Sequence, residues 1–458
     1  MTRVKIDNLG IPPLAGVCTY EEACKTGYNI DHNVNLLHRY NYSETQLNQI
    51  MAAHLAQVPE WEVKGGIGLH LWLDAEHSAM LRKRVTEMRE PPLQLDKIPD
   101  EQIEAFFQEV IRAQDTLELL VGIYRVTKAE LIRSMKKHLQ ETNPLSDHPT
   151  CRILKLILIE EEEMLSWGEK AVQALIRTDA DKIRALSWEQ HLQSILVAAG
   201  GISGDLSKPA DWKPVNPRWN GAPFEMNPIP RRDDRFKDIF NSTADFDGIY
   251  FDENRSADER VFALLFKRLR EMDVPEWMGP IIYKTKGKPW EYYQDLSRQL
   301  WDEVRHSMMG EAGLYQDGVA FYSYPVEYLT SLALNTTAET LDAHLVLWYI
   351  EQGLMPKDTG KHFEWEVAKK SDNELAKNFQ DYDWADEVLH AQIGRKWLIP
   401  EYENMEELKK RAKMVMARNL SEKSKLSLEN SDQRVWWPKF LAEIRAGRDR
   451  IRKEAALK

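Results

Sequence analysis

The residues best suited to chemistry in this sequence are two copies of an Asp-Glu-Val-x-His-x-x-x-Gly motif. The first copy spans Asp302–Gly310 and the second spans Asp386–Gly394. Both lie in stretches with helical periodicity, and residues three apart share one face of a helix. The glutamate and the histidine of each motif therefore project together and can bind one metal ion. Two such helices facing each other would supply ligands for two ions.

A dinuclear site needs further oxygen donors, and we expect bridging carboxylates one helix upstream of each motif. Glu271 precedes Glu303 by 32 residues, and Glu351 precedes Glu387 by 36. The surroundings are also alike, with ALLFKRLREMDVPEW around Glu271 and HLVLWYIEQGLMPKD around Glu351. The repeating unit is therefore a pair of helices, present twice. The predicted metal ligands are Glu271, Glu303, His306, Glu351, Glu387 and His390.

The aspartates of the two motifs are expected to orient the histidines. A metal-bound imidazole usually gives its second N–H to a carboxylate. Asp302 is predicted to contact the histidine of the second motif, and Asp386 that of the first. His344 lies two turns before Glu351 on the same helix face. It is either a further ligand or supporting group, or a buried histidine bonded to a neighbour.

Helices must hold these residues, and helical periodicity dominates the chain while strand signals are sparse. Ser256 is an expected N-cap, with acidic residues in the turn that follows. Gly310 and Gly394 fall one turn after each histidine, and close helix packing would compensate for the cost of about 1 kcal/mol that glycine has in a helix. The four helices predicted for this part of the chain, the number a metal-binding bundle needs, are Ser256–Met272, Pro289–Tyr315, Pro325–Gly353 and Asn373–Trp397.

The first half of the chain carries an incomplete version of the same pattern. Asp74 and His77 have the motif spacing, and Glu160–Glu163 lie where a second motif would be, without a histidine at the fourth place. Because the ligand set is incomplete, we interpret this bundle as structural and metal-free. The alternative is a divergent metal site using Asp74, His77 and Glu160 or Glu163. Its predicted helices are Thr45–Val58, Gly68–Arg89, Glu101–His138, Thr150–Arg177 and Ser187–Ala199.

The predicted fold class is all-α, with two helical bundles. Residues 1–200 form the first bundle, and residues 201–250, dense in proline, glycine and asparagine, form an irregular linker. Residues 251–400 form the four-helix metal-binding bundle. Residues 401–458 form a basic helical tail, whose charges are typical of a solvated face, with RNA contact as the alternative.

Composition limits the remaining classes of protein. The 458 residues are too many for one ordinary domain. A net charge of −12 argues against nucleic acids and anionic membrane surfaces as partners. No long apolar run predicts a membrane span, and the N-terminus lacks a secretory signal. The three cysteines have no zinc or disulfide spacing, which favours a reducing compartment. We expect the cytoplasm.

The duplicated motif resembles the ferritin-like di-iron carboxylate superfamily, over about Ser256–Trp397. This superfamily includes the ribonucleotide reductase small subunit, acyl-carrier-protein desaturases and bacterial multicomponent monooxygenases. With Arg305, the first motif resembles the Asp-Glu-x-Arg-His signature of the monooxygenases. Leu389 stands at that place in the second motif, so the subfamily stays open. The resemblance implies two ferritin-like bundles, the first of them degenerate.

The resemblance also implies a di-iron oxidoreductase. Two iron ions, or manganese or a mixed pair, suit mixed carboxylate and imidazole ligation. They would activate O2 to oxidise an organic small molecule by hydroxylation, desaturation or N-oxygenation. An external electron donor is expected, because the chain has no flavin or iron–sulfur motif. The alternatives are a non-enzymatic metal-binding or scaffold protein and a ferroxidase or peroxide scavenger. A homodimer is left open.

Overall fold

The protein is described here by a computed structural model, which covers residues 6–89 and 95–456. Within these ranges it contains helices and no strand, which confirms the all-α class. Two compact units are present. Unit 1 comprises the residues up to Asn48 together with Leu73–Phe224, and unit 2 comprises Gln49–Trp72 and the residues from Glu225 onward.

Unit 1 consists of long helices with one interrupted stretch. The single helix predicted over Glu101–His138 is wrong, because residues 111–115 break it and Val121–Lys128 form a π-helical segment. Asp115 starts the new helix by accepting a hydrogen bond from the backbone N–H of Glu118. The helices are α1 (Tyr20–Ala23), α2 (Ile30–His54), α3 (Trp61–Thr86), α4 (Glu101–Val110), α5 (Thr116–Leu120), α6 (Ala129–Glu141), α7 (His148–Leu175) and α8 (Asp179–Ala198). The residues of α2 and of α3 are divided between the two units.

Unit 2 contains more helices than the four that the sequence predicted. Three short ones, Phe246–Phe251, Asp273–Lys284 and Lys361–Lys369, were missed, and the helix predicted over Pro325–Gly353 is in fact two helices separated at Ala338. The helices are α9 (Phe246–Phe251), α10 (Ala257–Arg270), α11 (Asp273–Lys284), α12 (Trp290–Gln316), α13 (Leu329–Thr337), α14 (Thr340–Gly353), α15 (Lys361–Lys369), α16 (Glu374–Leu398), α17 (Met405–Asn430) and α18 (Trp437–Ala456).

Local chemistry explains these differences. α11 contains Pro280, which removes a backbone donor and normally ends a helix. At the end of α13, the hydroxyls of Thr336 and Thr337 bond back to carbonyl oxygens four residues earlier, at 2.7 Å each. Such bonds compete with the helical backbone and favour its termination.

Polar caps fix where two of the helices around the predicted metal ligands, α10 and α16, begin. Ser256 accepts a hydrogen bond from the backbone N–H of Glu259 at the start of α10, as predicted. Asn373 does the same for the N–H of Ala376 at the start of α16. These caps set the register of the two helices and therefore the direction in which their later side chains point.

The basic tail is part of unit 2. Its first helix, α17, packs on α14 through a buried cluster of Leu345, Trp348, Leu408 and Ala412. Arg411 forms an ion pair with Asp342 of α14, with a shortest distance of 2.5 Å. The described helices include none with the length and apolar character that a membrane crossing requires.

Gly310 allows α10 and α12 to approach closely. A β-carbon on Gly310 would lie 2.6 Å from the carbonyl oxygen of Leu265 and closer still to the amide nitrogen of Leu269. Gly394 of α16 plays a similar role, since a β-carbon there would overlap the Trp348 ring of α14. The two glycines thus set the separation between each motif helix and the ligand-bearing helix that precedes its motif, α10 for α12 and α14 for α16.

We predict that Gly310→Ala destabilises the protein, although alanine is the better helix former. Overpacking typically costs about 1–3 kcal/mol, more than the roughly 1 kcal/mol gained in helix propensity. The measurement is the thermal midpoint of the metal-free protein. Gly353→Ala is the matched control, because a β-carbon there meets no heavy atom within 4 Å. An unchanged midpoint for Gly310→Ala would contradict this account of the packing.

Candidate metal centre

The six predicted ligands come together inside unit 2, on four different helices. Glu271 follows directly on α10, Glu303 and His306 lie on α12, and the others lie on α14 and α16. All but one are at most 3% exposed. The exception is Glu271, whose side chain is 15% exposed.

The donor atoms fall into two neighbouring groups, and in each group they lie within 4.8 Å of one another. The His390 group contains Glu303, Glu351, Glu387 and His390. The His306 group contains Glu271, His306 and Asp383. Each group combines carboxylates with one imidazole, as expected, but Asp383 was not among the predicted ligands and Glu303 falls in the group of the opposite motif's histidine.

Glu303 lies between the two histidines. Its Oε1 atom is 3.2 Å from Nδ1 of His390, and its Oε2 atom is 3.9 Å from Nδ1 of His306. The two imidazole rings have centroids 5.9 Å apart. Glu303 is thus closer to the histidine of the opposite motif than to that of its own. Glu303 therefore has one oxygen near each histidine, a position that the sequence had assigned to Glu271 and Glu351 as bridging carboxylates.

Both cross-motif contacts that the sequence predicted are present. Nε2 of His390 lies 3.3 Å from Asp302 Oδ2, and Nε2 of His306 lies 3.2 Å from Asp386 Oδ2. When Nε2–H donates to the aspartate, the imidazole presents its Nδ1 lone pair to the carboxylates. The aspartates thereby select the tautomer that a metal ion requires.

One arginine accounts for the asymmetry between the motifs. Arg305 donates to both Asp302 and Asp386, at 2.6 Å each. Arg298, one turn before Asp302 on α12, adds a contact of 2.9 Å to that aspartate. Because Arg305 already holds both aspartates, Leu389 can occupy the equivalent place in the second motif, where it is 37% exposed.

Five buried polar atoms of the centre find no hydrogen-bond partner among the described residues. Leaving such a group unsatisfied costs about 1–3 kcal/mol, and more for a charged one. All five belong to predicted ligands, and metal ions would satisfy them together. The atoms are Glu271 Oε2, Glu303 Oε1, His306 Nδ1, Glu387 Oε2 and His390 Nδ1.

Sequence reasoning missed three charged residues of the centre. Lys361 of α15 places its Nζ 2.8 Å from Glu387 Oε1 and 2.9 Å from Asp383 Oδ1. Arg268 lies 2.9 Å from Glu271 Oε1 and also pairs with Asp383. Asp383 and Arg268 each lie one turn before a predicted ligand, so helical spacing could have found them. Lys361 lies on a helix that the sequence did not reveal.

When both histidines are neutral, as ligation of a metal ion requires, the charges do not balance within the protein. Five carboxylates face two buried cations, so three negative charges are left over. A single divalent ion cannot neutralise three charges, whereas two can. Although burial and Arg268 oppose its charge, Asp383, Glu387 and Glu271 hold the pKa of Lys361 well above its ordinary value. Lys361 is therefore a fixed cation at neutral pH.

Protons compete with metal ions for this centre. Burial alone would lower the pKa of His306, but Asp383, Asp386 and Glu271 raise it to about 10. Burial likewise opposes the charge of His390, yet Asp302, Glu303 and Glu387 raise its pKa well above the ordinary value. Burial, with Glu387 nearby, raises the pKa of Glu303 to about 6. Both histidines of the metal-free protein therefore hold a second proton at neutral pH.

We predict that metal binding releases protons and tightens as the pH rises. A ligating histidine must be neutral, so each displaced proton raises the apparent affinity by up to about tenfold per pH unit. The check is calorimetric titration with Co2+ at about pH 6 and pH 8, in buffers of different ionisation enthalpy. An affinity that is the same at both pH values, with no proton release, would show that the histidines do not ligate.

We predict that Asp386→Asn weakens metal binding by about 10- to 100-fold, the usual effect of losing a carboxylate that orients a ligating histidine. The amide oxygen of asparagine can still accept the hydrogen bond from His306 Nε2–H, but it lacks the negative charge that strengthens this bond. Competition with a chelator gives the affinity. Asp381→Asn is the matched control, since Asp381 lies on the same helix and is exposed. Equal affinities for the two variants would argue against the orienting role.

His344 lies apart from both groups of donor atoms. Its Nδ1 is 3.3 Å from the Tyr292 hydroxyl, and its side chain is 3% exposed. Burial lowers its pKa to about 3. This arrangement is the buried histidine bonded to a neighbour, and it does not support a role as a further ligand.

The predicted pair Asp74 and His77 lies in a buried cluster of unit 1. Its other members are Glu44, which the sequence reasoning overlooked, and Glu161. The two glutamates proposed from the sequence are not the ones in the cluster. Glu160 instead accepts a hydrogen bond from His77 Nε2 at 2.7 Å, and Glu163 is exposed. Glu44 precedes Asp74 by 30 residues, which is the signal that could have revealed it.

Comparison with known proteins gave no match to a family model, a curated protein or a solved structure. The resemblance to ferritin-like proteins therefore stays a prediction from the sequence motifs.

Proposed function

We propose that unit 2 binds two metal ions at one carboxylate-bridged centre and that the protein is a di-iron oxidase or oxygenase. The observation that carries this proposal is the convergence of five buried, unpartnered ligand atoms on one another, within the described part of the chain. Glu303, with one oxygen towards each histidine, provides the bridge.

The donor set favours iron or manganese. Carboxylates outnumber imidazoles, and Fe(II) and Mn(II) suit such mixed ligation. When bound, a di-iron centre would supply the activation of O2 for oxidation of an organic small molecule. An external electron donor belongs to the same proposal, because the motifs of a flavin or iron–sulfur cofactor are not found in the sequence.

The residues around the ligands have separate tasks in this proposal. Asp302 and Asp386 keep the Nδ1 atoms of the histidines free to ligate. Lys361 and Arg268 hold Asp383 and reduce the negative charge of the centre. Burial of the ligands excludes bulk water, which strengthens these electrostatic interactions.

Glu271 is the most exposed of the predicted ligands, and this proposal places the approach of small molecules on its side of the centre. Its side chain is 15% exposed, whereas Glu303 and Glu387 are at most 2% exposed. O2 and an organic substrate would approach along this edge.

A ferroxidase or metal-binding protein is the second candidate function. The partial exposure of Glu271 gives ions a way in, and the net charge of −12 attracts cations. In that case iron would be the substrate instead of a retained cofactor. The two candidates differ in whether O2 consumption continues after the bound iron has been oxidised.

We predict that the wild-type protein, reconstituted with Fe(II), consumes O2 and that Glu303→Gln/His390→Gln abolishes this activity and removes two ions per chain. Metal analysis and an oxygen electrode give the two readings. The control is Glu366→Gln, a partly exposed carboxylate of α15 that pairs with Lys369. Both properties should be unchanged in the control.

Two outcomes would contradict the proposal. Either the wild type binds no iron or manganese in unit 2, or the double variant keeps the full metal content. Continued O2 consumption with a chemical reductant favours the oxidase or oxygenase. Consumption that stops in fixed proportion to added Fe(II) favours the ferroxidase.

A further inference from the structure

A second cluster of buried ligands lies in unit 1, separate from the centre described above. Glu44 of α2, Asp74 and His77 of α3, and Glu161 of α7 place ligand atoms within 4.8 Å of one another. All four side chains are 0% exposed. Nδ1 of His77 lies 3.4 Å from Glu44 Oε1 and 3.5 Å from Glu161 Oε1.

The cluster has the same deficit of partners as the centre of unit 2. Both carboxylate oxygens of Glu44 find no hydrogen-bond partner within residues 6–89 and 95–456. The same holds for Asp74 Oδ2, His77 Nδ1 and Glu161 Oε2. A fully buried carboxylate without a single donor is costly, because desolvation of the charge is not offset. Since each of the four residues offers a ligand atom within 4.8 Å of the others, one cation could bind all four side chains.

One buried cation is already in the cluster. Lys128, at the end of the π-helical segment, places its Nζ 2.7 Å from Asp74 Oδ1 and 2.7 Å from Glu161 Oε1. Three carboxylates and one ammonium leave two negative charges. One divalent metal ion would neutralise them.

The order of residues along the chain matches that of unit 2. Glu44 precedes Asp74 by 30 residues, as Glu271 precedes Glu303 by 32. Lys128 then precedes Glu161 by 33 residues, as Glu351 precedes Glu387 by 36. Lys128 therefore stands where unit 2 has a carboxylate, and Met164 stands where unit 2 has its second histidine.

We propose that unit 1 binds a single divalent metal ion through Glu44, Asp74, His77 and Glu161, and that the ammonium of Lys128 occupies the place of a second ion. Three carboxylates and one imidazole suit Mn(II), Fe(II), Co(II) or Zn(II). This inference does not rest on the function proposed for unit 2, and the two can fail independently.

The orientation of His77 fits a ligand. Its Nε2 donates to Glu160 Oε2 at 2.7 Å, which leaves Nδ1 facing the cluster. The histidines of unit 2 are held in the same way, by a carboxylate on another helix. An ion bound here would join α2, α3 and α7, and its expected effect is to stabilise unit 1.

The test uses the full chain carrying Glu303→Gln/His390→Gln, in which the centre of unit 2 is removed and unit 1 is unaltered. After reconstitution with Mn(II), we expect one tightly bound ion per chain. Its paramagnetic resonance spectrum should be that of an isolated Mn(II) ion. No bound ion, or a pair of magnetically coupled ions, would overturn the proposal.

Variants of the cluster identify the ligands. Adding Glu44→Gln/His77→Gln to the same background should remove the remaining ion, whereas the control Glu163→Gln, on an exposed residue of α7, should retain it. Circular dichroism checks that each variant is folded. Retention of the ion by folded Glu44→Gln/His77→Gln would overturn the assignment.

The role of Lys128 is tested by a variant that should bind one additional metal ion. Lys128→Glu/Met164→His restores the ligand types that unit 2 has at these places. In the same background this double variant should bind two ions per chain instead of one, with magnetic coupling between them. If the folded double variant still binds one ion, Lys128 does not occupy the place of a second ion.

Discussion

The repulsion among buried carboxylates is the constraint on which the rest of unit 2 depends. Five of them lie around His306 and His390, and two buried cations neutralise only part of their charge. Isolated charges in a protein interior cost several kcal/mol or more unless they are paired or bind metal. The surrounding structure therefore has to provide both the positive charge and the rigidity that hold these groups together.

Several features of the sequence meet this requirement. Gly310 lets α10 and α12 come close enough for Glu271 and Glu303 to share a site. Arg305 fixes Asp302 and Asp386, which in turn set the tautomers of the two histidines. Each of these contacts acts on the orientation of a ligand, and orientation is what separates a metal centre from a group of repelling charges.

In both units a buried lysine neutralises part of the charge of the carboxylates, but the two lysines lie at different places in the pattern of ligands. In unit 1, Lys128 supplies one positive charge from the protein itself, between Asp74 and Glu161. In unit 2, Lys361 contacts Asp383 and Glu387 without replacing a predicted ligand. An ammonium fills a place permanently and cannot take part in electron transfer. This difference fits a structural ion in unit 1 and a reactive pair in unit 2.

Much of the centre could be predicted from the sequence, because helical spacing is a local property. Glu303 and His306 share a helix face wherever the helix lies. Glu44 carries the same kind of signal, but the helix predicted there began at Thr45, and so the residue was passed over. Lys361 could not be predicted, since α15 is a short helix that tertiary packing places against the centre. The break within Pro325–Gly353 was missed because composition does not show that the hydroxyls of Thr336 and Thr337 bond to the helix backbone.

Anomalous X-ray diffraction from crystals of the iron-reconstituted protein tests the central claim most directly. The account predicts two iron peaks in unit 2, about 3.5–4 Å apart, the spacing of carboxylate-bridged two-metal sites. One peak should lie next to Nδ1 of His306 and the other next to Nδ1 of His390, with Glu303 between them. A single peak, or iron bound only at the surface, would contradict the account.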